Sequence, residues 1–320
     1  MKTIKNLNKY FLLLNSYLPN IFKLPQDTCI IILNGGIGNQ LFQFYLGEEL
    51  RNQYSKNVVY FDMRSSYKTN HDSYLENFFD IDITKYNPSK NNFLVKNFFL
   101  LPLILRIAKF IYLRFRIKLV PNLYFDNLNN KSDLSLFKLK TNISIFYGTW
   151  HKYINKYIYA SKNIILKFRD AKGSLDSSKY KYDFIAVHVR RGDYIYSRKT
   201  SEFHGNLENS YFINSVKFLR KRFGFLPVLL FSDDYNFLNE NLKLMIPYSI
   251  VVSSNSTSSE KDFMLMSKGK YFVLSNSTFS WFAAFLSTKK NKFIIVPKYW
   301  FNKIKTTKDY IYRDWNYKII

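Results

Sequence analysis

Asp183–Tyr194, DFIAVHVRRGDY, is an apolar run that stops at two arginines, a glycine and an aspartate. Ile185, Val187 and Val189 alternate with Ala186, His188 and Arg190, which predicts a strand with His188 and Arg190 on one face. Such a strand delivers an imidazole and a guanidinium at its C-terminal end. In an open α/β sheet that is where ligands bind, and arginine grips phosphate oxygens in a fixed fork. The alternative is an Arg-Gly-Asp surface turn in which Asp193 merely pairs with Arg191. The stretch alone leaves the two readings level.

Downstream of it the elements alternate regularly. Helices are predicted at Asn209–Phe223, Tyr235–Met245, Ser258–Ser267 and Thr278–Ser287, with strands between them at Pro227–Phe231, Ser249–Val252, Lys270–Leu274 and Lys292–Val296. That rhythm implies a parallel, doubly wound sheet. Three strand ends carry polar groups: His188 with Arg190, then FSDD (Phe231–Asp234), then SNSTFSW (Ser275–Trp281) opening a helix. Ser and Thr at a helix start cap it, and the same amides and hydroxyls bind phosphate. A carboxylate such as Asp233 can accept the paired N1 and N2 protons of guanine. Together these groups describe a nucleotide diphosphate pocket.

Upstream, Cys29–Leu33 reads as a strand, Asn34–Asn39 as a glycine turn, Gln40–Tyr54 as a helix and Asn57–Asp62 as the next strand. Gly36 and Gly38 stand where backbone amides can approach a ligand, and Asn39 with Gln40 can cap the helix or face a substrate. A dinucleotide fingerprint fails because Leu41 occupies the third glycine position. From Leu101 a helical wheel places Ile104, Leu105, Ala108, Ile111, Tyr112 and Phe115 on one face and the cations, Lys109 among them, on the other. That basic amphipathic helix either packs on its own domain, the favoured reading, or lies on an anionic membrane. No uninterrupted apolar stretch reaches the roughly 20 residues of a spanning helix. Tyr147–Tyr153, YGTWHKY, is an aromatic cluster suited to a sugar ring or to core packing, while residues 122–145 are uninformative. The polar run from Asp170 marks a linker, so the expected organisation is an N-terminal extension (1–28), an acceptor-side domain (29–169), a linker (170–182) and a nucleotide-binding domain (183–320).

The chain has 320 residues, 47% of them hydrophobic, enough for a core in each of two domains, and a net charge of +25. Nucleic acid, an anionic membrane or a phosphate-bearing substrate could answer that charge. No dense arginine block, zinc-ligand spacing or aromatic RNA-binding signature favours nucleic acid. The single cysteine, Cys29, excludes an intrachain disulfide, fits a reducing compartment and reads as a small buried side chain.

GGIGNQLFQ (Gly35–Gln43), YGTWHKY, HVRRGDY (His188–Tyr194), His204-Gly205 followed by Tyr211, FSDD, the run Glu260–Leu286 and VPKYW (Val296–Trp300) stand in an order that resembles the bacterial α-1,2-fucosyltransferases of glycosyltransferase family 11. The resemblance covers about residues 30 to 300. It implies a GT-B-like α/β fold of two Rossmann-like domains with parallel sheets, GDP-β-L-fucose as donor, a galactose-terminated glycan as acceptor, and inverting transfer to the galactose 2-hydroxyl. By the same resemblance Arg190 holds the β-phosphate, His188 and Asp233 contact guanosine, Ser277, Thr278, Phe279 and Ser280 cradle the diphosphate, and Asn39 faces the fucose or acceptor. Two positions depart from the family pattern near those implied substrate contacts: His151 replaces a glutamine and Phe282 a tryptophan.

Inversion is a single in-line displacement, so a departing diphosphate must be stabilised and a hydroxyl proton removed. No DxD at a strand end suggests a metal, which leaves the leaving-group charge to Arg190 and the helix start at Thr278. Asp193 is the candidate base, or else it orients an arginine. No cofactor beyond the donor substrate is expected, and the expected place is the cytoplasm or the cytoplasmic face of the inner membrane. Another sugar-nucleotide transferase is the second reading and a nucleic-acid binder the last.

Overall fold

The computed structural model describes residues 25, 27–62, 74–79, 81, 107–112, 114, 123–126, 143–157, 182–252, 258–302 and 307–320. The chain divides into two compact units, Met1–Arg169 and Asp170–Ile320. Most of the expected extension and linker, and most of the helix expected from Leu101, lie outside the described residues.

In the first unit, β1 (Thr28–Leu33), β2 (Asn57–Asp62), β3 (Leu123–Phe125) and β4 (Ile143–Tyr147) form a parallel sheet in the order β2-β1-β4-β3. Helix α1 (Ile37–Tyr54) joins β1 to β2. It starts three residues before the expected Gln40, because the turn is completed within Gly35 and Gly36. Gly36 is its N-cap and has no side chain to offer the helix; Gln40 Nε2 donates to Gly35 O at 3.1 Å. Glu48 and Glu49 are buried, with Glu48 held by Arg51 and by the Tyr60 hydroxyl. Residues 107–112 are helical, and Ala108 packs against Ile32 and Leu123. Lys109 departs from the expected wheel: its Nζ lies 5.2 Å from the centre of the Tyr147 ring, while Phe110 is exposed. Its long alkyl stem lets the ammonium reach inward toward Asp126. Cys29 is buried, and burial pushes its thiol up to about 12, so it behaves as an inert apolar side chain.

In the second unit six parallel strands lie in the order β10-β9-β8-β5-β6-β7. They are β5 (Ile185–Val189), β6 (Val228–Ser232), β7 (Ser249–Val251), β8 (Tyr271–Val273), β9 (Phe293–Val296) and β10 (Asn316–Ile319). The helices are α2 (Gly192–Tyr196), α3 (Arg198–His204), α4 (Asn209–Phe223), a helical run over 235–245, α5 (Ser259–Met266) and α6 (Thr278–Leu286). All five residues of β5 and of β6 are buried, as in a central strand covered on both faces. Val187, Val189, Leu230 and Val273 share one core with Phe212, Val216 and Leu219 of α4. The chain builds β5, β6 and β7 outward in one direction, then returns to lay β8, β9 and β10 on the other side. The order therefore reverses between β5 and β8, and in the first unit likewise between β1 and β4. A crevice for ligands opens beyond the carboxyl ends at each reversal. Two α/β units with parallel sheets are what the sequence predicts. The Arg-Gly-Asp surface turn gives way to α2, and Asp193 pairs with Arg190 instead of Arg191.

Candidate active site

At the β5/β8 reversal the chain sets Arg190 between two carboxylates. Its Nη2 lies 2.6 Å from Asp193 Oδ1 and its Nη1 2.8 Å from Asp233 Oδ2. Asp193 sits one turn on, in α2, and Asp233 at the end of the neighbouring strand β6. Asp233 also accepts the Arg191 amide at 2.8 Å. This close approach explains Gly192: a Cβ there would stand 2.3 Å from Asp233 Oδ2. Burial opposes the Arg190 charge and the two aspartates outweigh it, raising its pKa further. The Arg190 side chain is one-third exposed, and each of its two terminal nitrogens is held by a carboxylate. Arg191 points elsewhere, with Nε 3.0 Å from Asp234 Oδ2 and its guanidinium 3.5 Å from the centre of the Phe237 ring. Asp234 also caps the helical run through Phe237 N at 3.1 Å.

His188 faces the same reversal but is buried. Its Nδ1 lies 2.6 Å from Ser275 Oγ and its ring stacks on Phe279 at 5.1 Å. Burial first, and Arg190 second, depress its pKa to about 3, so the imidazole is neutral at pH 7. Two of the hydroxyls expected to cradle phosphate bond within the helix: Ser277 Oγ accepts from Phe279 N at 3.3 Å, and Ser280, wholly buried, donates to Ser277 O at 3.1 Å. What α6 presents to the crevice is the set of first-turn amides around Thr278, with the positive end of its dipole. Phe279 contributes its ring to His188 and Phe263.

Further side chains join the two halves of the crevice. The Arg190 guanidinium lies over the Tyr194 ring at 5.5 Å, and the Tyr194 hydroxyl donates to Asn276 O at 3.1 Å. Tyr194 stacks on His204 at 4.4 Å, and Asn276 Nδ2 donates to His204 O at 2.8 Å. The Tyr211 hydroxyl reaches Leu274 O at 2.7 Å. Gly205, at φ +74°, leaves no room for a side chain because Asn302 Oδ1 lies 2.2 Å from its would-be Cβ. Tyr194, His204 and Asn276 were not singled out from the sequence as site residues; the pairing of His204-Gly205 with a later tyrosine was the available signal.

In the first unit the β1/β4 reversal brings the glycine turn to the aromatic segment. Gln43 Nε2 donates to Gly148 O at 2.9 Å, and Asn34 N donates to Gln43 Oε1 at 3.0 Å. Gly35, at φ +76°, is the glycine the turn requires: a Cβ would stand 2.4 Å from Asn39 Nδ2. Gly36 is open, with nothing within 4 Å of a Cβ, so a ligand can approach its backbone, whereas Gly38 is buried in the first turn of α1. Trp150 adopts the left-handed region at φ 65°, held there by Asp126 Oδ2, which accepts its amide at 2.8 Å. His151 and Phe282 are core residues: His151 stacks on Phe42 at 4.2 Å, and Phe282 is wholly buried against Trp281. The departures from the family pattern therefore change packing, and neither side chain is exposed to touch a substrate.

The sequence profile of glycosyl transferase family 11 matches residues 29–319. The chain is 30% identical over 284 residues to an alpha-1,2-colitosyltransferase of Escherichia coli, covering 85% of this chain and 91% of that protein. It is 35% identical over 127 residues to the O-antigen biosynthesis glycosyltransferase WbnK of Escherichia coli; that match takes in 39% of this chain and less than half, 42%, of WbnK. Among solved structures, the fucosyltransferase NodZ from Bradyrhizobium aligns over 82% of this chain and 93% of its own, with 14% identity and a TM-score of 0.48.

Proposed function

This chain belongs to glycosyl transferase family 11, and from that premise we propose that it moves L-fucose from GDP-β-L-fucose to the 2-hydroxyl of a terminal galactoside, with inversion, in the synthesis of a surface glycan such as an O-antigen. The observation that carries the reading is the braced Arg190 at the same sheet reversal as the start of α6. A guanidinium held in place by two carboxylates and a helix N-terminus offer fixed N–H donors to a diphosphate as it departs, without reorganising during the reaction. By resemblance neutral His188 lies on the nucleoside side of that arrangement; Asp233, implied there too, is held by Arg190 and by the Arg191 amide. Asp193, bound to Arg190, acts as its orienting group. The α-1,2 linkage is supported by the name of the 30% identical relative, and the surface-glycan acceptor by that of WbnK.

A second reading has one specific observation behind it, the same relative named for colitose. Colitose is L-fucose lacking the 3-hydroxyl, so the two donors differ by one polar group, and a site that hydrogen-bonds that hydroxyl rejects its absence strongly. Assays with GDP-fucose, GDP-colitose and UDP-galactose against a panel of galactosides, with the product linkage read by NMR, decide the matter. Turnover of GDP-fucose to an α-1,2-linked product is expected. Turnover of GDP-colitose alone installs the second reading, and turnover of UDP-galactose alone removes both.

A further inference from the structure

The end of the second unit opposite the crevice carries an apolar surface that no part of the proposed reaction uses. Phe225 (67% exposed), Tyr248 (75%), Leu244 (76%), Met245 (49%) and Ile250 (53%) are large apolar side chains within 26 residues of sequence. The fold brings Phe225 and Tyr248 together. Phe225 precedes β6 and Tyr248 precedes β7, neighbouring strands whose amino ends lie side by side, and their rings meet at 5.0 Å. Arg220, in the last turn of α4, fastens the two loops: it donates to Leu226 O at 3.1 Å and to Pro247 O at 2.8 Å, with its guanidinium 4.7 Å from the Phe225 ring centre. Leu244 closes the helical run that leads into the second loop, while the neighbouring Met245 turns toward the start of α4, its Sδ 3.9 Å from Asn209 Nδ2.

The rim is basic. Lys221 and Arg222 stand beside Arg220 in the same last turn, Arg222 with its guanidinium over the Phe223 and Phe293 rings, and Lys243 precedes Leu244; all three are exposed. Between Asn209 and Ile250 the only carboxylates are Glu240 and the arginine-paired Asp233 and Asp234. The dipole of α4 explains cations at its C-terminus, but it does not explain aromatic and aliphatic side chains left in water next to them. Aromatic rings and aliphatic side chains ringed by Lys and Arg match the headgroup boundary of an anionic bilayer, where each cation adds to the attraction and the apolar groups enter the acyl edge. We propose that this surface, Phe225, Leu244 and Tyr248 with Lys221, Arg222 and Lys243, seats the protein on an anionic lipid membrane. The crevice lies at the other end of the sheet, so a seated protein keeps its donor site open.

The test is sedimentation of the full chain with vesicles of phosphatidylcholine and phosphatidylglycerol (3:1) and with pure phosphatidylcholine, without substrates. The wild type is expected to bind the anionic vesicles and to come off in high salt. Two double variants, Phe225→Ser with Tyr248→Ser and Lys221→Glu with Arg222→Glu, are each expected to lower binding tenfold or more, with transfer to a soluble acceptor unchanged. Because such variants can also alter folding, a single Phe225→Trp substitution serves as a second readout, its emission shifting to the blue on anionic vesicles. Equal binding by all variants overturns the proposal, as does no binding by the wild type. A wild-type dimer by light scattering that the Phe225/Tyr248 variant abolishes, with no vesicle binding, replaces the membrane by a second copy of the chain.

Discussion

At the scale of single residues, Arg190 carries the electrostatics of the site, and its two carboxylate braces define what can be asked of it. Lysine offers one point charge where the guanidinium offers a fork that Asp193 and Asp233 already hold in place. Arg190→Lys is expected to keep the fold and lower kcat/KM tenfold or more, since each charged hydrogen bond lost is about 1.5–3 kcal/mol; wild-type kinetics would remove Arg190 from the phosphate. Asp233 is the sharper case. Each of its oxygens already accepts a protein donor, from Arg190 and from the Arg191 amide, so its geometry fits a brace better than the guanine reader that resemblance suggests. Calorimetric titration of Asp233→Ala is expected to show GDP and ADP weakened by similar factors, because the diphosphate is common to both; selective loss of GDP would restore base reading. The aspartates at these strand ends, Asp193, Asp233 and Asp234, are each engaged by arginine. Activity is therefore expected to persist in excess EDTA, and loss that manganese restores would contradict that.

At the scale of elements, α6 starts beside Arg190 at the crevice and is capped by a cation at its other end. Lys292 Nζ donates to Ala284 O at 2.7 Å, Phe285 O at 3.0 Å and Ser287 O at 2.8 Å, taking up carbonyls that the helix end leaves unmatched. Burial pulls its ammonium down to about 8, which still leaves it charged at neutral pH. Lys292→Met keeps the stem and removes all three bonds, so a loss of about 2 kcal/mol is expected in urea unfolding; an unchanged midpoint would show the cap to be idle. None of this was legible in the sequence, where Lys292 reads only as a residue at the start of a strand. Legibility follows burial. β5 and β6, buried on both faces, announce themselves as apolar runs, and α4 is read to its final residue. β10 is exposed along most of its length and has no apolar pattern, and β3 has only three residues. Both are recognisable only from the ladders they complete. For the site, residue types at strand ends pointed to one crevice, and the structure gathers those residues at the β5/β8 reversal, but partnership did not follow from spacing: Asp193 lies near both arginines in sequence, and the turn of α2 gives it to Arg190.

At the scale of the whole molecule, the two units carry buried ionisable groups of opposite kind, so acid is expected to act on them in opposite directions. In the second unit burial depresses His188 to about 3 and His204 to about 4, well below an ordinary histidine. Below about pH 6.5 the unfolded chain takes up protons at these positions that the folded unit refuses, so its stability falls as pH falls through this window. At pH 5 the loss is about 2 kcal/mol for His188 and, reduced for the partial solvent access of His204, about 1 kcal/mol more. In the first unit the sign reverses. Burial raises Glu49, whose Oε2 has no hydrogen-bond partner, to about 7, and it also raises Asp126. Between pH 7 and the ordinary carboxylate range the folded form holds protons there that the unfolded chain releases, so this unit gains stability as pH falls. Hydrogen exchange read peptide by peptide, corrected for intrinsic rates, separates the two: from pH 7 to pH 5, protection is expected to fall in β5, β6 and β8 and to hold or rise in β1 and α1. Replacing both histidines, as His188→Gln and His204→Gln, is expected to flatten the response of the second unit and leave that of the first unchanged. Parallel loss of protection in both units would mean that acid acts through the net charge of +25 and not through these buried groups.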